Sequence, residues 1–278
     1  MKTRRDFFKK AGGLALGALL LPNLSKGEKL KNVGIQLYSV RKEMLADAVG
    51  TLKQLAKIGY KELESARSEK GNYYGLAPKE IKKIASDLGM TLRSGHVHVD
   101  KDWQRSIDLA SEAGQNYLVC SSLPSEGQTV DNYKKVAEIF SKAGEDCKKA
   151  NLIFGYHNHE YEFEKVNGQV LYDVLLSNTD PNVVTWELDL GWVVASGNDP
   201  LAYFNKYPGR FPLWHLKDMD VANQKSTEFG KGQIKVLEIL KNAKKSGVKY
   251  IFVEQEEYAS TALESMKYDF DYLQNLDF

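Results

Sequence analysis

The sequence predicts a closed (β/α)8 barrel in one domain, and three observations support this fold. Eight short apolar runs that resemble strands alternate with segments of helical periodicity. Successive runs are roughly thirty residues apart, as expected for strand–helix units. After a short N-terminal leader about 250 residues remain, a typical length for one such barrel. An open parallel sheet is the alternative, but eight repeats favour closure.

The predicted strands are the eight apolar runs. They cover residues 32–38, 60–64, 91–99, 116–122, 152–159, 182–190, 210–218 and 249–256. Polar residues collect at the last positions of these runs, which becomes important for the site.

Helical patterns fill the intervals between the strands. In residues 47–59 the apolar side chains share one face, and the segment ends in glycine. Residues 77–89 have proline at the helix start and glycine at the end. The remaining predicted helices are 102–114, 131–150, 169–177, 199–207, 234–247 and 263–276. No Gly/Ser-rich linker divides the chain, so residues 27–278 are predicted to form a single domain.

Residues 1–26 form a separate segment with the features of an export signal. Arg4 and Arg5 precede Phe7 and Lys9, and an uncharged run follows at residues 11–21. That run is too short and too rich in glycine to span a membrane, and a basic start before a short apolar run is typical of a secretory signal. The paired arginines resemble a twin-arginine signal, so we expect recognition by the export machinery and a periplasmic location. A basic amphipathic helix is the alternative.

Charge and cysteine content exclude several classes of protein. The first 26 residues hold six lysines or arginines and one aspartate, a net charge of +5; because the whole chain has +1, residues 27–278 carry −4. An acidic body without a basic cluster is a poor binder of nucleic acid. Cys120 and Cys147 are too few for a disulfide framework, and we expect two buried free thiols rather than a bridge.

In a (β/α)8 barrel the active site lies at the C-terminal ends of the strands. All five histidines of the chain fall at such ends, and none falls on a predicted helix. A core histidine that is satisfied by a backbone carbonyl is the alternative for any one of them, especially His96 or His98. Imidazoles and carboxylates that meet at one mouth are what a divalent metal site needs. The polar residues at the strand ends are Gln36, Glu64, His96, His98, His157, His159, Glu187, Asp189, His215, Lys217, Asp218 and Glu254 to Glu257.

Several of these stretches resemble one protein family. They are GIQLYSVR, GYKELE, YHNHEYEF, WELDLGWVVASGNDP, HLKDM followed by FGKGQ, and FVEQEE. Together they resemble the xylose isomerase-like TIM barrels, and more narrowly the sugar phosphate isomerase/epimerase group, which is related to inosose dehydratase and endonuclease IV. The resemblance covers nearly all of residues 32–275 and implies a sugar isomerase or epimerase.

The resemblance implies a metal site with four protein ligands. The family's ligands on strands six, seven and eight correspond to Asp189, His215 and Glu254. The strand-five ligand is usually a glutamate before Asn-His, but here that position holds His157. With His157 in place of the glutamate, the four ligands include two carboxylates, so the site with a divalent ion has a formal charge of zero. The additional imidazole favours zinc, manganese, iron or cobalt over magnesium. Glu160 is the alternative ligand.

The family's epimerases move a proton beside a carbonyl with two carboxylates, while the metal stabilises the enediolate. Glu254 corresponds to one of these bases. A metal-bound His157 cannot be the second, so Glu160, His159 or His96 is expected in that role. Alternatively one base suffices, and the enzyme is a lyase or dehydratase that expels a β-leaving group.

The candidate substrate-binding residues come from several strand ends. They are Gln36, Glu64, His96, Trp192, Lys217 and Asp218. Lys217 and Asp218 either bind hydroxyl groups or pair with each other. No Gly-rich loop with lysine and serine or threonine marks a phosphate site, and sugar phosphates are largely cytosolic, so we expect an unphosphorylated sugar, keto-sugar or glycoside as substrate. Two other interpretations are a nuclease similar to endonuclease IV, which the few histidines and the net charge disfavour, and a non-catalytic carbohydrate-binding barrel.

Overall fold

Eight parallel strands close into a barrel in the computed structural model, which describes residue 30 and residues 32–277. Each strand pairs with its neighbours in sequence, and the eighth pairs with the first. The prediction of a closed (β/α)8 barrel is therefore confirmed. The predicted leader, residues 1–26, lies outside the described residues. Strands 1 to 8 are Gly34–Gln36, Glu62–Ser65, Thr91–Val97, Tyr117–Cys120, Ile153–His157, Val184–Asp189, Leu213–Leu216 and Tyr250–Val253.

Helices follow every strand and cover the outside of the barrel. Several begin with a side-chain cap: Asp47 accepts a hydrogen bond from Gly50 N–H, Thr129 from Asn132 N–H and Thr261 from Glu264 N–H. Such caps satisfy backbone donors that the first helical turn leaves free. The helices are Arg41–Ala46, Ala48–Ile58, Pro78–Asp87, Trp103–Ala113, Val130–Lys149, Leu171–Asn178, Leu190–Ala195, Pro200–Lys206, Val236–Lys241, Ala243–Ser246 and Ala262–Gln274.

Two strands end earlier than predicted because a polar side chain caps the helical turn that follows, and one predicted helix is interrupted. The predicted strand 32–38 stops at Gln36, whose side chain accepts a hydrogen bond from Tyr38 N–H and starts a 3-10 turn. The predicted strand 182–190 stops at Asp189, which caps a short helix in the same way. The predicted helix 234–247 is divided in two at Asn242.

Two antiparallel hairpins were not predicted and lie beside the barrel. One pairs Lys165–Val166 with Gln169–Val170, and the other pairs Asp218–Asp220 with Lys225–Thr227. Their strands are too short to give a period-two pattern in the sequence.

The strand register brings polar residues of neighbouring strands to the same height in the barrel. Gln36 lies beside Glu64, His157 beside Glu187, and Asp189 beside His215. The apolar side chains on the outer face of the barrel pack against the helices; Trp214, for example, stacks on Phe204 with ring centroids 5.0 Å apart. This arrangement leaves the polar residues facing one another at the C-terminal end.

Both cysteines are buried and free, as the sequence predicted. Within the described residues, no helix combines the length and the apolar character that crossing a membrane requires.

Candidate active site at the C-terminal mouth

A cavity of about 260 Å³ opens at the C-terminal ends of the strands. It lies where (β/α)8 enzymes carry their active sites. Its lining comes from the C-terminal ends of strands 3 and 5 and from the segments that follow strands 1 to 8. The lining residues central to the chemistry are His96, His157, His159, Trp192, Lys217 and Glu254.

The four candidate metal ligands that the family resemblance implied converge next to the cavity, and two of them, His157 and Glu254, line it. His157, Asp189, His215 and Glu254 each present one donor atom, and these four atoms lie within 4.8 Å of one another. All four residues are buried. They come from strands 5, 6 and 7 and from the end of strand 8, as the sequence predicted.

The two carboxylate oxygens of Asp189 make different contacts. Oδ1 accepts a hydrogen bond of 2.9 Å from Trp192 N–H and caps the following helix. Asn158 holds the Asp189 backbone, because its Oδ1 accepts a hydrogen bond from Asp189 N–H and its Nδ2 donates to the Asp189 carbonyl. Oδ2 is directed at the cluster, and the ammonium group of Lys217 lies 3.1 Å from it.

Lys217 is a buried cation above this cluster. Its Nζ lies 3.1 Å from Asp189 Oδ2, 2.8 Å from Glu254 Oε2 and 2.9 Å from Glu256 Oε1. Burial opposes the charge, but the three carboxylates raise the pKa of Lys217 well above its ordinary value. The pKa of Glu254 is lowered well below its ordinary value, although burial alone would raise it, because Lys217 and His215 stabilise the carboxylate. Lys217 is thus positively charged and Glu254 negatively charged at neutral pH.

A second layer of polar side chains lies beside the four candidate ligands, and one of its members, His96, also lines the cavity. His96 Nε2 lies 2.7 Å from Glu187 Oε2 and 3.3 Å from Glu64 Oε1. Burial opposes protonation, but the charge of Glu64 and the hydrogen bond with Glu187 raise the pKa of His96 to about 9. Burial, followed by the charge of Glu64, raises the pKa of Glu187 to about 7.

This layer changes the assignment of two predicted substrate-binding residues. Gln36 and Glu64 are fully buried, and neither lines the cavity. They are hydrogen-bonded to each other, and Glu64 also contacts His215. Their placement indicates a supporting position under the site. His96, which was also predicted to bind substrate, does line the cavity.

Glu187 was not among the predicted site residues, although the sequence places it at a strand end. Its Oε2 lies 3.2 Å from His215 Nε2 and 3.3 Å from His157 Nδ1. The signal that could have identified it is its spacing of two residues from Asp189, which puts both side chains on the same face of strand 6.

The two candidates for a second proton-transfer group lie in different surroundings. His159 lines the cavity, and burial together with the charge of Lys217 lowers its pKa to about 4, so the ring is neutral at pH 7. Glu160 is exposed and does not line the cavity. The 3-10 turn at Tyr161–Phe163 instead buries Glu162, which accepts hydrogen bonds from His159 N–H and from the Tyr156 hydroxyl group.

The other predicted substrate residues are divided between the cavity and its surroundings. Trp192 lines the cavity, with Lys217 Nζ 4.9 Å from its ring centroid. Asp218 lies behind the wall and does not pair with Lys217. Its carboxylate accepts hydrogen bonds from four backbone N–H groups and fixes the loop after the second hairpin; the donors are Met219, Gly230, Gly232 and Ile234.

The four converging residues fit a divalent ion. Two imidazoles and two carboxylates form a mixed nitrogen and oxygen set of the kind that binds zinc, iron, manganese or cobalt. Buried carboxylate oxygens without hydrogen bonds are costly unless a cation or a donor satisfies them. Asp189 Oδ2 has the Lys217 ammonium group as a partner at 3.1 Å, and it also lies close to the donor atoms of His157, His215 and Glu254. An ion would therefore have four converging donors.

Comparison with known proteins agrees with this architecture. Residues 52–276 match the sequence model of the xylose isomerase-like TIM barrel family. The crystal structure of a sugar phosphate isomerase/epimerase from Parabacteroides distasonis is 32% identical, with 91% of this chain and 95% of that chain covered and a TM-score of 0.78.

Curated relatives match over a smaller part of their length. An inosose dehydratase of Clostridium beijerinckii is 32% identical over 192 residues, which are 60% of this chain and 62% of that protein. One from Lacticaseibacillus casei is 31% identical over 114 residues, 41% of this chain and 37% of that protein. The family match covers most of the chain, and the closed barrel and its polar mouth agree with it. The chain belongs to the xylose isomerase-like TIM barrel family.

Proposed function

We propose that this protein is a metal-dependent enzyme that isomerises or epimerises an unphosphorylated sugar or keto-sugar by moving a proton at the carbon next to a carbonyl. The observation that carries the proposal is the convergence of His157, Asp189, His215 and Glu254 beside an open cavity, which His157 and Glu254 line. A divalent ion on these residues would act as a Lewis acid toward a substrate carbonyl.

The residues around the cavity supply the groups that such a reaction needs. Glu254 is an ionised carboxylate at the cavity floor and is placed to accept the proton. His159 is a neutral imidazole in the cavity wall and is placed to receive or return a proton as the second group. Lys217 keeps the carboxylate of Glu254 charged and provides a donor for a developing negative charge. Trp192 offers an apolar face for a sugar ring.

The charge pattern of the cavity supports an unphosphorylated substrate. Among the described lining residues, Lys217 is already paired with three carboxylates, and Arg67 is paired with Asp100 at 3.2 Å. A phosphate binds where several donors or unpaired cations converge. Sugars with hydroxyl and carbonyl groups match this cavity better.

The proposal is tested by proton NMR in heavy water with a panel of sugars, keto-sugars and keto-glycosides. We expect deuterium to enter the substrate at the carbon next to the carbonyl. Replacing a positioned acid or base typically lowers the rate about 10²–10⁴-fold, and we expect this for Glu254→Gln and His159→Gln. Metal content is measured for each variant, so that loss of a proton-transfer group is distinguished from loss of the ion.

Two further variants sharpen this experiment. Glu257→Gln is the matched control, because Glu257 is exposed and bonded to Ser226 outside the cavity. Glu160→Gln should behave like this control, since Glu160 is also exposed. A large loss of rate in Glu160→Gln, with His159→Gln unaffected, would return the second proton-transfer role to Glu160. Exchange at the unaltered rate in metal-loaded Glu254→Gln would exclude Glu254 as the base.

A second candidate function is dehydration or another lyase reaction of a keto-sugar or keto-glycoside. It is favoured by the matching relatives, which are named inosose dehydratases. In this reaction Glu254 takes the proton next to the carbonyl, and the β-hydroxyl group leaves with a proton as water. The same NMR experiment separates the two functions, because a lyase product has lost its β-substituent whereas an isomerase product keeps every oxygen.

A further inference from the structure

Three buried side chains form a continuous hydrogen-bonded chain beneath the cavity floor. Gln36 Nε2 donates to Glu64 Oε1 at 2.8 Å, and the same Glu64 oxygen lies 2.6 Å from His215 Nε2. All three residues are fully buried. The register of strands 1 and 2 places Gln36 directly beside Glu64, so the residue on the neighbouring strand fixes the position of the carboxylate.

The two ring nitrogens of His215 face different sets of carboxylates. Nε2 faces the deeper pair, Glu64 at 2.6 Å and Glu187 at 3.2 Å. Nδ1 faces the upper pair, Glu254 at 3.0 Å and Asp189 at 3.9 Å. Only the upper pair belongs to the proposed metal ligands, so an ion held with Asp189 and Glu254 would meet Nδ1.

A histidine ligand binds an ion through one ring nitrogen, and the hydrogen bond of the other nitrogen sets its tautomer and orientation. We propose that Glu64, held by Gln36, is the positioning residue that keeps the proton of His215 on Nε2 and directs Nδ1 toward the ion. The inference rests on the metal site proposed above. It gives Gln36 and Glu64 a role under the site in place of the substrate contact expected from the sequence.

Glu64 is a better acceptor for His215 than the neighbouring Glu187. Glu187 is already hydrogen-bonded to His96 at 2.7 Å and also faces Nδ1 of His157 at 3.3 Å. Glu64 is closer to His215. A carboxylate acceptor at this distance makes a strong hydrogen bond and raises the basicity of the opposite nitrogen.

The test measures the metal dissociation constant by chelator competition and the metal content per chain by elemental analysis. Glu64→Gln keeps the shape of the side chain and removes its charge, and we expect the affinity to fall about 10–100-fold. Glu62→Gln is the matched control, because Glu62 is a buried glutamate of the same strand that pairs with Arg93 at 2.6 Å, away from His215. We expect its metal affinity to stay unchanged.

A spectroscopic measurement reports the tautomer itself. In the zinc-loaded protein with ¹⁵N-labelled histidine, we expect long-range proton–nitrogen spectra to show His215 protonated on Nε2 and bound to zinc through Nδ1. Coordination through Nε2 would overturn the proposal. Circular dichroism checks that each variant is folded; if Glu64→Gln is not, Glu64→Asp, which retracts the carboxylate, serves as the second variant with the same expected loss of affinity.

The remaining outcomes are also decisive. Unchanged affinity in folded Glu64→Gln and Glu64→Asp would overturn the positioning role and leave the proposed function intact. Two ions per chain, one of which disappears in Glu64→Gln, would make Glu64 a ligand instead and would also overturn it. An unaltered protein that binds no divalent ion would overturn both this inference and the proposed function.

Discussion

Asp189 illustrates at the residue scale how one carboxylate links the fold to the site. Oδ1 caps the helix Leu190–Ala195, and Oδ2 faces the candidate ligands. The side chain is therefore fixed by backbone structure before any ion binds. This arrangement reduces the entropy that the ligand would otherwise lose on coordination.

Substitution of Asp189 should separate these two tasks. Asp189→Asn keeps an oxygen for the cap but removes the negative charge that faces Lys217 at 3.1 Å, so we expect metal content to fall sharply and the unfolding free energy in chelator to fall as well. Asp189→Ala also removes the cap and should cost about 0.5–2 kcal/mol of unfolding free energy beyond Asp189→Asn. Elemental analysis and urea unfolding in chelator measure the two effects. Full metal occupancy in both variants would exclude Asp189 as a ligand.

At the scale of elements, the helix Val130–Lys149 shows how closely the outer layer packs on the barrel. It is the longest helix among the described residues and lies beside strand 5 and the segment that leads into strand 6. Gly144 faces that segment, where a β-carbon would clash with the carbonyl oxygen of Val183. The helix therefore needs glycine at this position for a close approach of two backbones.

Gly144→Ala should consequently destabilise the protein, although the same change in an open helix stabilises by about 1 kcal/mol. Overpacking against a backbone carbonyl typically costs about 1–3 kcal/mol. Glu145→Ala, at an exposed neighbouring position, is the control and should change little. Urea unfolding of the three proteins measures the difference. A variant Gly144→Ala as stable as the unaltered protein would mean that the helix can move away from Val183 without loss.

At the scale of the whole molecule, the barrel brings side chains from strands that are far apart in sequence to one mouth. Ligand candidates span His157 to Glu254, and the supporting chain adds Gln36 and Glu64 from the first two strands. Such a site is complete only in a closed and folded barrel. A protein of this kind would have to be exported in the folded, metal-loaded state, which suits a twin-arginine signal. We therefore propose a periplasmic location.

The paired arginines should be required for this export. Replacing both Arg4 and Arg5 by lysine keeps the charge and removes the guanidinium pair, so we expect the protein to accumulate in the cytoplasm. Cell fractionation measures its location, and Lys9→Arg is a control within the same segment. Unchanged periplasmic accumulation of the double variant would show that the signal is not of the twin-arginine type.

Much of the fold and part of the site followed from local patterns in the sequence. The strands and the major helices were predicted because apolar spacing and capping residues are local properties. His157, Asp189, His215 and Glu254 were selected together from the resemblance to the family, and the barrel brings them together. The two hairpins were missed because their strands are too short for a period-two pattern. Glu187 was recognised as a polar residue at a strand end but was given no role, although its spacing of two residues from Asp189 places both on one face of the strand.

The sequence by itself determined that this chain folds as a (β/α)8 barrel with its histidines at one mouth. Alternation along a strand decides which side chains point inward, and that is a local property. The tertiary structure alone decided how deep each polar side chain lies in the mouth and which neighbours it faces. The stagger between strands sets Glu187 level with His157 and Asp189 level with His215. Long-range packing also buried Glu64 under His215 and left Glu160 in solvent, because the height of a side chain depends on register with distant strands and on the turns that follow them.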